Sequence, residues 1–155
     1  MPMATIVFVH AHPDDEASQT AGTMALAVHR GDRVVCVYAT GGEHGMAAED
    51  LGDATVSEYR RREAEASAKV VGTHRVEWLG YEDSGMSGWE QNNAPGAFVR
   101  ADDTTAGLKL AAILDDEDAD WVVGYDWHGN YGHPDHVKVH SVVRRAVELA
   151  RRRPG

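Results

Sequence analysis

Cysteine and positive charge are both scarce in this chain of 155 residues. The single cysteine, Cys36, excludes a framework of internal disulfides, and its apolar neighbours at positions 34–37 predict a buried thiol rather than a nucleophile. Lysine and arginine number 15 against 25 aspartates and glutamates, and the formal net charge is −10. Because a phosphate backbone is bound by basic surfaces, this balance argues against nucleic acid as a partner.

Long hydrophobic runs are also missing. No apolar stretch approaches the ~20 residues that a membrane-spanning helix requires, so we expect no membrane partner. The N-terminus leads directly into a predicted strand, without the basic and apolar regions of a signal peptide, which predicts a cytoplasmic protein. With 43% hydrophobic and 26% charged residues, the composition is that of one globular domain with a sizeable core.

Apolar runs alternate with segments of helical periodicity along the chain. Four runs are predicted to be strands, at residues 5–10, 33–39, 75–79 and 121–125. Helices are predicted at 16–30, from Ser57 as N-cap to Gly72, at 104–117 and at 134–152. This alternation predicts an α/β fold, a Rossmann-like three-layer sandwich with a mainly parallel sheet. In such sheets ligands bind beyond the carboxyl ends of the strands, where the polar loops of this chain fall.

Two short clusters of metal-ligating residues lie at that edge. His12, Asp14 and Asp15 follow the first strand, and His133 and His136 lie at the start of the last helix. His12, Asp15 and His136 together offer two nitrogens and one oxygen, a set that zinc accepts with a position left for water. The same ligands do not distinguish zinc from iron (Fe²⁺), cobalt or manganese. This combination favours metal-assisted hydrolysis.

The remaining residues of the two clusters suit acid–base chemistry. Asp14 lies beside the candidate ligands and is placed to accept a proton from water. His133 can stabilise an oxyanion or protonate a leaving amine, and Tyr131 can donate a hydrogen bond to the same oxyanion. Taken singly, such residues more often cap helices or pack in loops. Two clusters at one sheet edge favour a functional site instead.

Three further side chains are candidates for binding substrate. Residues 43–56 and 80–102 lack periodicity and are predicted to be loops. Both Glu43 and Asp83 lie in these loops. Glu43 is a candidate for orienting a ligand or binding substrate hydroxyls, and Asp83 is a candidate for contacts with sugar hydroxyls. Arg60 lies in the first turn of the helix that follows and is suited to an anionic or hydroxylated substrate. The alternative for each of the three is a solvated surface charge.

With these motifs the chain resembles the LmbE-like, or PIG-L, family of zinc-dependent de-N-acetylases. The resemblance is carried by Ala-His-Pro-Asp-Asp-Glu at 11–16 and His-Pro-Asp-His at 133–136, which are highly specific in this order. Moderately specific matches extend it over almost the whole chain, at 41–43, 59–60, 83–86 and 125–126. These are most similar to the branch that acts in mycothiol metabolism, which holds a deacetylase of N-acetylglucosaminyl-inositol and an amidase of mycothiol S-conjugates.

The resemblance implies a role for each candidate. The implied zinc ligands are His12, Asp15 and His136. Asp14 is the implied general base. His133 is the implied group that stabilises the oxyanion or protonates the amine, and Tyr131 is the implied group that polarises the carbonyl. The implied substrate contacts are Arg60, Asp83 and Glu43. The implied reaction is attack of water on the amide of a small N-acetylated amino sugar, which releases acetate and a free amine.

Other functions stay open at this point. An amidase of mycothiol S-conjugates would need the same groups. Family members are usually longer, so the resemblance implies one LmbE-like domain over residues 1–155 that lacks the usual C-terminal part, and a truncated metal-binding relative with little activity is a further alternative. A nucleotide-binding domain is disfavoured, because two acids follow the first strand where a phosphate needs a glycine-rich turn. The sequence leaves the natural substrate, the physiological metal and any homo-oligomer open.

Overall fold

The computed structural model of the protein describes residues 3–45 and 55–155. Its strands are β1 Thr5–His10, β2 Arg33–Thr40, β3 Arg75–Tyr81 and β4 Trp121–Val123. Its α-helices are α1 Asp15–Gln19, α2 Ala21–His29, α3 Val56–Val71, α4 Asp103–Asp116, α5 Gly129–Gly132 and α6 Pro134–Leu149. Two short 3-10 helices, Glu90–Asn93 and Phe98–Arg100, lie between β3 and α4. Most of the predicted loop at 43–56 lies outside the described residues.

All four strands are parallel, in the order β3-β2-β1-β4. In the centre of β1, Val7 is aligned with Val35 of β2 on one side and with Val122 of β4 on the other. Along the chain, β2 and then β3 are added on one side of β1, and β4 is added on the other side. Such a reversal opens a crevice at the carboxyl ends of the two strands involved, which here are β1 and β4. The arrangement confirms the predicted α/β fold with a parallel sheet.

Helices cover both faces of the sheet, because the central strands are apolar on both sides. On one face, Val9 belongs to a buried cluster with Leu110 of α4 and Val139 of α6. On the other face, Phe8 belongs to a cluster with Met24 of α2 and part of α3. A layer of helices thus lies on each side of the sheet, as the predicted three-layer sandwich requires.

The single cysteine lies in the core, as its apolar neighbours predict. Cys36 is buried in the second of these clusters, and burial raises the pKa of its thiol to about 12. A thiol with such a high pKa is not a nucleophile at neutral pH. Among residues 3–45 and 55–155, no helix is both long enough and apolar enough to cross a bilayer.

Several boundaries differ from the prediction. The last helix ends at Leu149 instead of 152, and the fourth strand ends at Val123 instead of 125. Two further differences, both at helices, have a visible cause. The helix predicted at 16–30 is divided at Thr20, whose backbone leaves the helical region (φ −131°) while its hydroxyl contacts His10. The N-cap of α3 is Thr55 and not Ser57. Thr55 Oγ1 accepts the Glu58 N–H at 3.2 Å, and the Glu58 carboxylate accepts the Thr55 N–H at 2.8 Å. This reciprocal capping box satisfies two backbone amides, which explains why the helix begins before Ser57.

Candidate functional site

A cleft of about 250 Å³ opens at the carboxyl edge of the sheet. Most of the candidates from the sequence line it, namely His12, Asp14, Asp15, Arg60, Asp83, Tyr131 and His133. His136 lies fully buried in the first turn of α6, and Glu43 is not among the residues that line the cleft. The fold therefore gathers side chains from all four segments that follow the strands.

The turn after β1 folds back on itself and brings two ligating groups together. The His12 N–H donates to Asp15 Oδ2 at 2.8 Å, and the Asp15 N–H donates to the His12 carbonyl at 3.2 Å. Asp14 lies between them with a positive φ of 111°, a region in which aspartate and asparagine are enriched over most other residues. The Asp14 side chain is 57% exposed and that of Asp15 is 11% exposed, so the adjacent carboxylates have different surroundings.

His12, Asp15 and His136 form a group whose ligating atoms all lie within 4.8 Å of one another. Asp15 Oδ2 is 3.4 Å from His12 Nδ1 and 3.2 Å from His136 Nε2. Although Nε2 of the fully buried His136 faces Asp15, neither of its ring nitrogens makes a well-directed hydrogen bond among the described residues. A buried polar group without a partner is costly, and coordination of a metal by Nε2 removes that cost for this nitrogen. Two imidazoles and one carboxylate fit a divalent metal such as zinc.

A second group shares His12, and its other members are Asp83, His133 and Asp135, again within 4.8 Å. Several of its polar atoms are already hydrogen-bonded, although Asp135 Oδ1 is buried without a partner in the described part of the chain. Asp135 Oδ2 lies 2.9 Å from His12 Nε2 and accepts the Ser84 N–H at 3.0 Å. Asp83 accepts two backbone N–H groups, and His133 Nδ1 accepts the Asp135 N–H. This group therefore fits a supporting role around His12 better than that of a second ion site.

Asp135 explains which nitrogen of His12 is available to a metal. When Nε2 donates its proton to Asp135, Nδ1 remains free on the side of Asp15. A carboxylate that holds the second nitrogen of a ligating imidazole fixes both its tautomer and its orientation. The sequence candidates did not include Asp135, and its only signal is its place inside the His-Pro-Asp-His motif.

The charges of the metal-free site are strongly perturbed. Burial lowers the pKa of His12, but hydrogen bonds with three surrounding carboxylates outweigh burial and hold that pKa well above 6.5. Burial raises the pKa of Asp15, but contacts with His12 and His136 outweigh it and hold the pKa far below its usual range. At neutral pH the metal-free site therefore pairs a protonated His12 with an ionised Asp15.

Metal binding is therefore expected to become tighter as the pH rises. The metal must displace a proton from His12, whereas Asp15 is already ionised. Below the raised pKa of His12, the apparent affinity should increase about tenfold per pH unit, with about one proton released per ion. Chelator competition between about pH 6 and pH 8 measures this slope. An affinity that does not change with pH would contradict the protonated state of His12.

The groups nearer the open side of the cleft differ in charge. Arg60 Nη1 lies 3.4 Å from Asp14 Oδ2. Burial and the neighbouring Asp15 raise the pKa of Asp14, and the Arg60 guanidinium opposes this rise. Burial and the nearby His12 lower the pKa of His133, so its imidazole is neutral at neutral pH.

Glu43 acts on Asp83 and does not reach the cleft surface. Its Oε2 accepts the Asp83 N–H at 2.8 Å. Asp83 in turn accepts the N–H of His44 at 3.1 Å and the N–H of Gly85 at 2.9 Å. These bonds tie the segment after β2 to the segment after β3 and fix the position of the Asp83 carboxylate.

Aromatic and apolar side chains border the cleft. Tyr131 is 61% exposed, and its ring meets that of His136 edge-on with centroids 4.9 Å apart. Met86 and Trp89 also line the cleft and are partly exposed. The Trp89 ring packs so closely over Gly85 that a Cβ there would lie 2.8 Å from it. Met86 and Trp89 were not among the site candidates, although two large apolar residues in a polar loop are a recognisable signal.

Comparison with known proteins agrees with this geometry. Residues 7–147 match the family described as PIG-L, GlcNAc-PI de-N-acetylase. Curated relatives named 1D-myo-inositol 2-acetamido-2-deoxy-alpha-D-glucopyranoside deacetylase include one from Acidothermus cellulolyticus, 40% identical over 159 aligned positions, and one from Mycobacterium sp. (strain KMS), 42% identical over 156. These alignments cover 95% and 94% of this chain but 54% and 50% of the relatives. The chain thus spans about half the length of the curated relatives it matches.

Solved structures share the fold. N,N'-diacetylchitobiose deacetylase from Pyrococcus horikoshii is similar with a TM-score of 0.76 at 26% identity, over 94% of this chain and 50% of that one. GalB, a 4-carboxy-2-hydroxymuconate hydratase from Pseudomonas putida, is similar with a TM-score of 0.73 at 26% identity, over 99% and 60%. Because one is named a deacetylase and the other a hydratase, the fold alone does not define the reaction, and the site residues must.

Proposed function

Because the chain belongs to the PIG-L family of GlcNAc-PI de-N-acetylases, we propose that it is a zinc-dependent hydrolase of small N-acetylated amino sugars of the N-acetylglucosaminyl-inositol type. The observation that carries this proposal is the buried group of His12, Asp15 and His136, with both His136 nitrogens unpartnered within the described ranges. The names of the relatives support the substrate class. One sheet with a core on each face supports a single LmbE-like domain over residues 1–155.

His12, Asp15 and His136 would hold the ion. When bound there, zinc supplies Lewis acidity that polarises a carbonyl and acidifies water. Fe²⁺ or another divalent metal is accepted by the same donors, so zinc is the proposed ion and its identity is a matter for measurement.

Asp14 would be the general base of the reaction. It lies in the cleft with more than half of its side chain exposed, so that water reaches its carboxylate. Its raised pKa strengthens it as a proton acceptor, while Arg60 favours the ionised form. Asp14 takes a proton from the water that attacks the amide carbon. The C–N bond then breaks to give acetate and a free amine.

His133 and Tyr131 would stabilise the charge that develops on the carbonyl oxygen. Because His133 Nδ1 accepts the Asp135 N–H at 3.1 Å, the proton of the neutral imidazole resides on Nε2 and is available for donation. A neutral imidazole can donate this hydrogen bond but cannot give up the proton, so the leaving nitrogen receives the proton that Asp14 has taken from water, and the Asp14 carboxylate is restored. The exposed Tyr131 provides a second hydroxyl donor.

Arg60 and Asp83 would contact the sugar, because both line the cleft. Asp83 is held by backbone donors, which presents its carboxylate in one fixed orientation. Glu43 would contribute to substrate binding by positioning Asp83.

An amidase of mycothiol S-conjugates is the second candidate, since the same groups would hydrolyse another accessible amide. Met86 and Trp89 favour it, because they give the cleft an apolar side that can accommodate the substituent of a conjugate.

The test pairs elemental analysis of the purified chain with amine release from three substrates. These are N-acetylglucosaminyl-inositol, N-acetylglucosamine and a mycothiol S-conjugate. We expect about one zinc per chain and chelator-sensitive release, fastest from N-acetylglucosaminyl-inositol. Faster release from the conjugate would favour the amidase. Zinc without release from any of the three would contradict the enzyme and favour a metal-binding relative, and absence of metal would contradict the metal centre.

A further inference from the structure

A chain of hydrogen-bonding groups lies behind the metal-ligating residues, apart from the cleft. His10 is 1% exposed, with Nε2 2.7 Å from Thr20 Oγ1 and Nδ1 2.7 Å from the Tyr125 hydroxyl. The Tyr125 hydroxyl lies 3.3 Å from Asp15 Oδ2. His10, Thr20 and Tyr125 line a separate cavity of about 380 Å³ and none of them lines the cleft. These residues are therefore outside the machinery described so far.

Tyr125 contacts two of the three proposed ligands at once. Its hydroxyl faces the Asp15 carboxylate, and its ring stacks flat on His136, with centroids 4.4 Å apart and planes inclined by 9°. Within residues 3–45 and 55–155, several rings meet His136 at an angle, and the Tyr125 ring is the one that stacks flat on its imidazole and so restrains the plane of the ring. One side chain thus restrains both the oxygen and the nitrogen offered to the ion.

The direction of the hydrogen bonds follows from what each group can accept. The Asp15 carboxylate oxygen accepts the hydrogen bond of the Tyr125 hydroxyl. The Tyr125 oxygen then accepts from His10 Nδ1–H and from the Ala11 N–H at 3.3 Å. The second His10 nitrogen, Nε2, lies 2.7 Å from Thr20 Oγ1, so both ring nitrogens are held in place. In the opposite direction the chain would end on Met24 Sδ, a weaker acceptor than a carboxylate.

We infer that Tyr125 is a positioning residue for the metal centre, aligned by His10, which holds Asp15 and His136 in the geometry that the ion requires. This inference rests on the proposed function, because it takes Asp15 and His136 as ligands. Partners that orient metal ligands in this way contribute strongly to affinity, since an ion binds most tightly to donors that are already in place.

The test is the zinc affinity of Tyr125→Phe, which keeps the stacked ring and removes the hydroxyl. Competition with a chromophoric chelator is expected to show an affinity about 10–100-fold weaker than that of the wild type. Because Tyr125→Phe leaves the buried His10 Nδ1 and the Ala11 N–H without this acceptor, some loss of stability is expected, so the affinity is measured well below the thermal unfolding midpoint of the metal-free variant. A merely structural role would lower that midpoint and leave the zinc affinity of the folded chain unchanged. Tyr81→Phe is the matched control, because Tyr81 packs against Phe98 and Lys109 away from the site, and it should bind zinc as the wild type does.

His10→Phe provides a second reading that keeps Tyr125 intact. If His10 acts through Tyr125, the double variant that combines His10→Phe and Tyr125→Phe should lose no more zinc affinity than Tyr125→Phe alone. The positioning role would be overturned if the affinity losses of the two single variants added in the double variant. It would also be overturned if Tyr125→Phe bound zinc as tightly as the wild type. A wild-type chain that binds no zinc would overturn the proposed function as well, which distinguishes the two failures.

Discussion

Replacing Asp14 with asparagine is expected to reduce amine release about 10²–10⁴-fold while zinc stays bound. Asparagine keeps the shape of the side chain and tolerates the positive φ of 111°, so the turn after β1 should be preserved. The amide cannot take a proton from water at neutral pH. Asp14 is also outside the group formed by His12, Asp15 and His136, so its replacement removes the base and leaves the ligands.

Turnover and zinc content should be measured on the same preparations of Asp14→Asn. Glu63→Gln is the matched control, because Glu63 is another carboxylate in contact with Arg60, 3.1 Å from Nη1, and lies 47% exposed outside the lining of the cleft. That variant should keep turnover close to the wild type. If Asp14→Asn were fully active, Asp14 would have no part in the mechanism. If it lost zinc, Asp14 would belong with the ligands instead.

Replacing His136 with alanine is expected to lower the zinc content from about one ion per chain to nearly none and to abolish amine release. The two remaining groups, His12 and Asp15, are fewer than the three protein ligands that hold a catalytic zinc. The loss should be seen by elemental analysis after dialysis. The thermal unfolding midpoint of the metal-free variant should be measured as well, because removing a buried ring that stacks on Tyr125 leaves a cavity and lowers stability.

His128→Ala is the control for this experiment. His128 is a second imidazole from the same part of the chain, but its side chain is 56% exposed and 3.8 Å from the exposed Asp126. It should retain zinc and activity. An unchanged zinc content in His136→Ala would show that the ion is held elsewhere, and the group of His12 and Asp15 would lose its role as a metal centre.

The two central strands, β1 and β2, were predictable because a strand buried on both faces is a nearly continuous apolar run. The prediction of 5–10 coincides with β1, and 33–39 differs from β2 by one residue. The division of the first helix was not predictable in the same way. It lies at Thr20, whose hydroxyl meets His10 of the preceding strand, and helical periodicity carries no information about that contact. The start of α3 at Thr55 was within reach, because the Thr-x-x-Glu pattern is local.

The motifs along the chain already indicate which groups are available and at which edge of the sheet they meet. The motifs after the first and fourth strands contain the candidate ligands and acids, and parallel strands place their carboxyl ends side by side. The hydrogen-bond and packing partners of these groups come instead from segments that are distant in the sequence and meet in the folded chain. The Asp135 carboxylate hydrogen-bonds His12, which lies 123 positions earlier in the chain. The Glu43 carboxylate accepts the Asp83 N–H. Tyr125 donates to Asp15 and stacks on His136. These contacts depend on distances between segments that become neighbours only when β1 pairs with β2 and β4, and no local pattern in the chain specifies such distances.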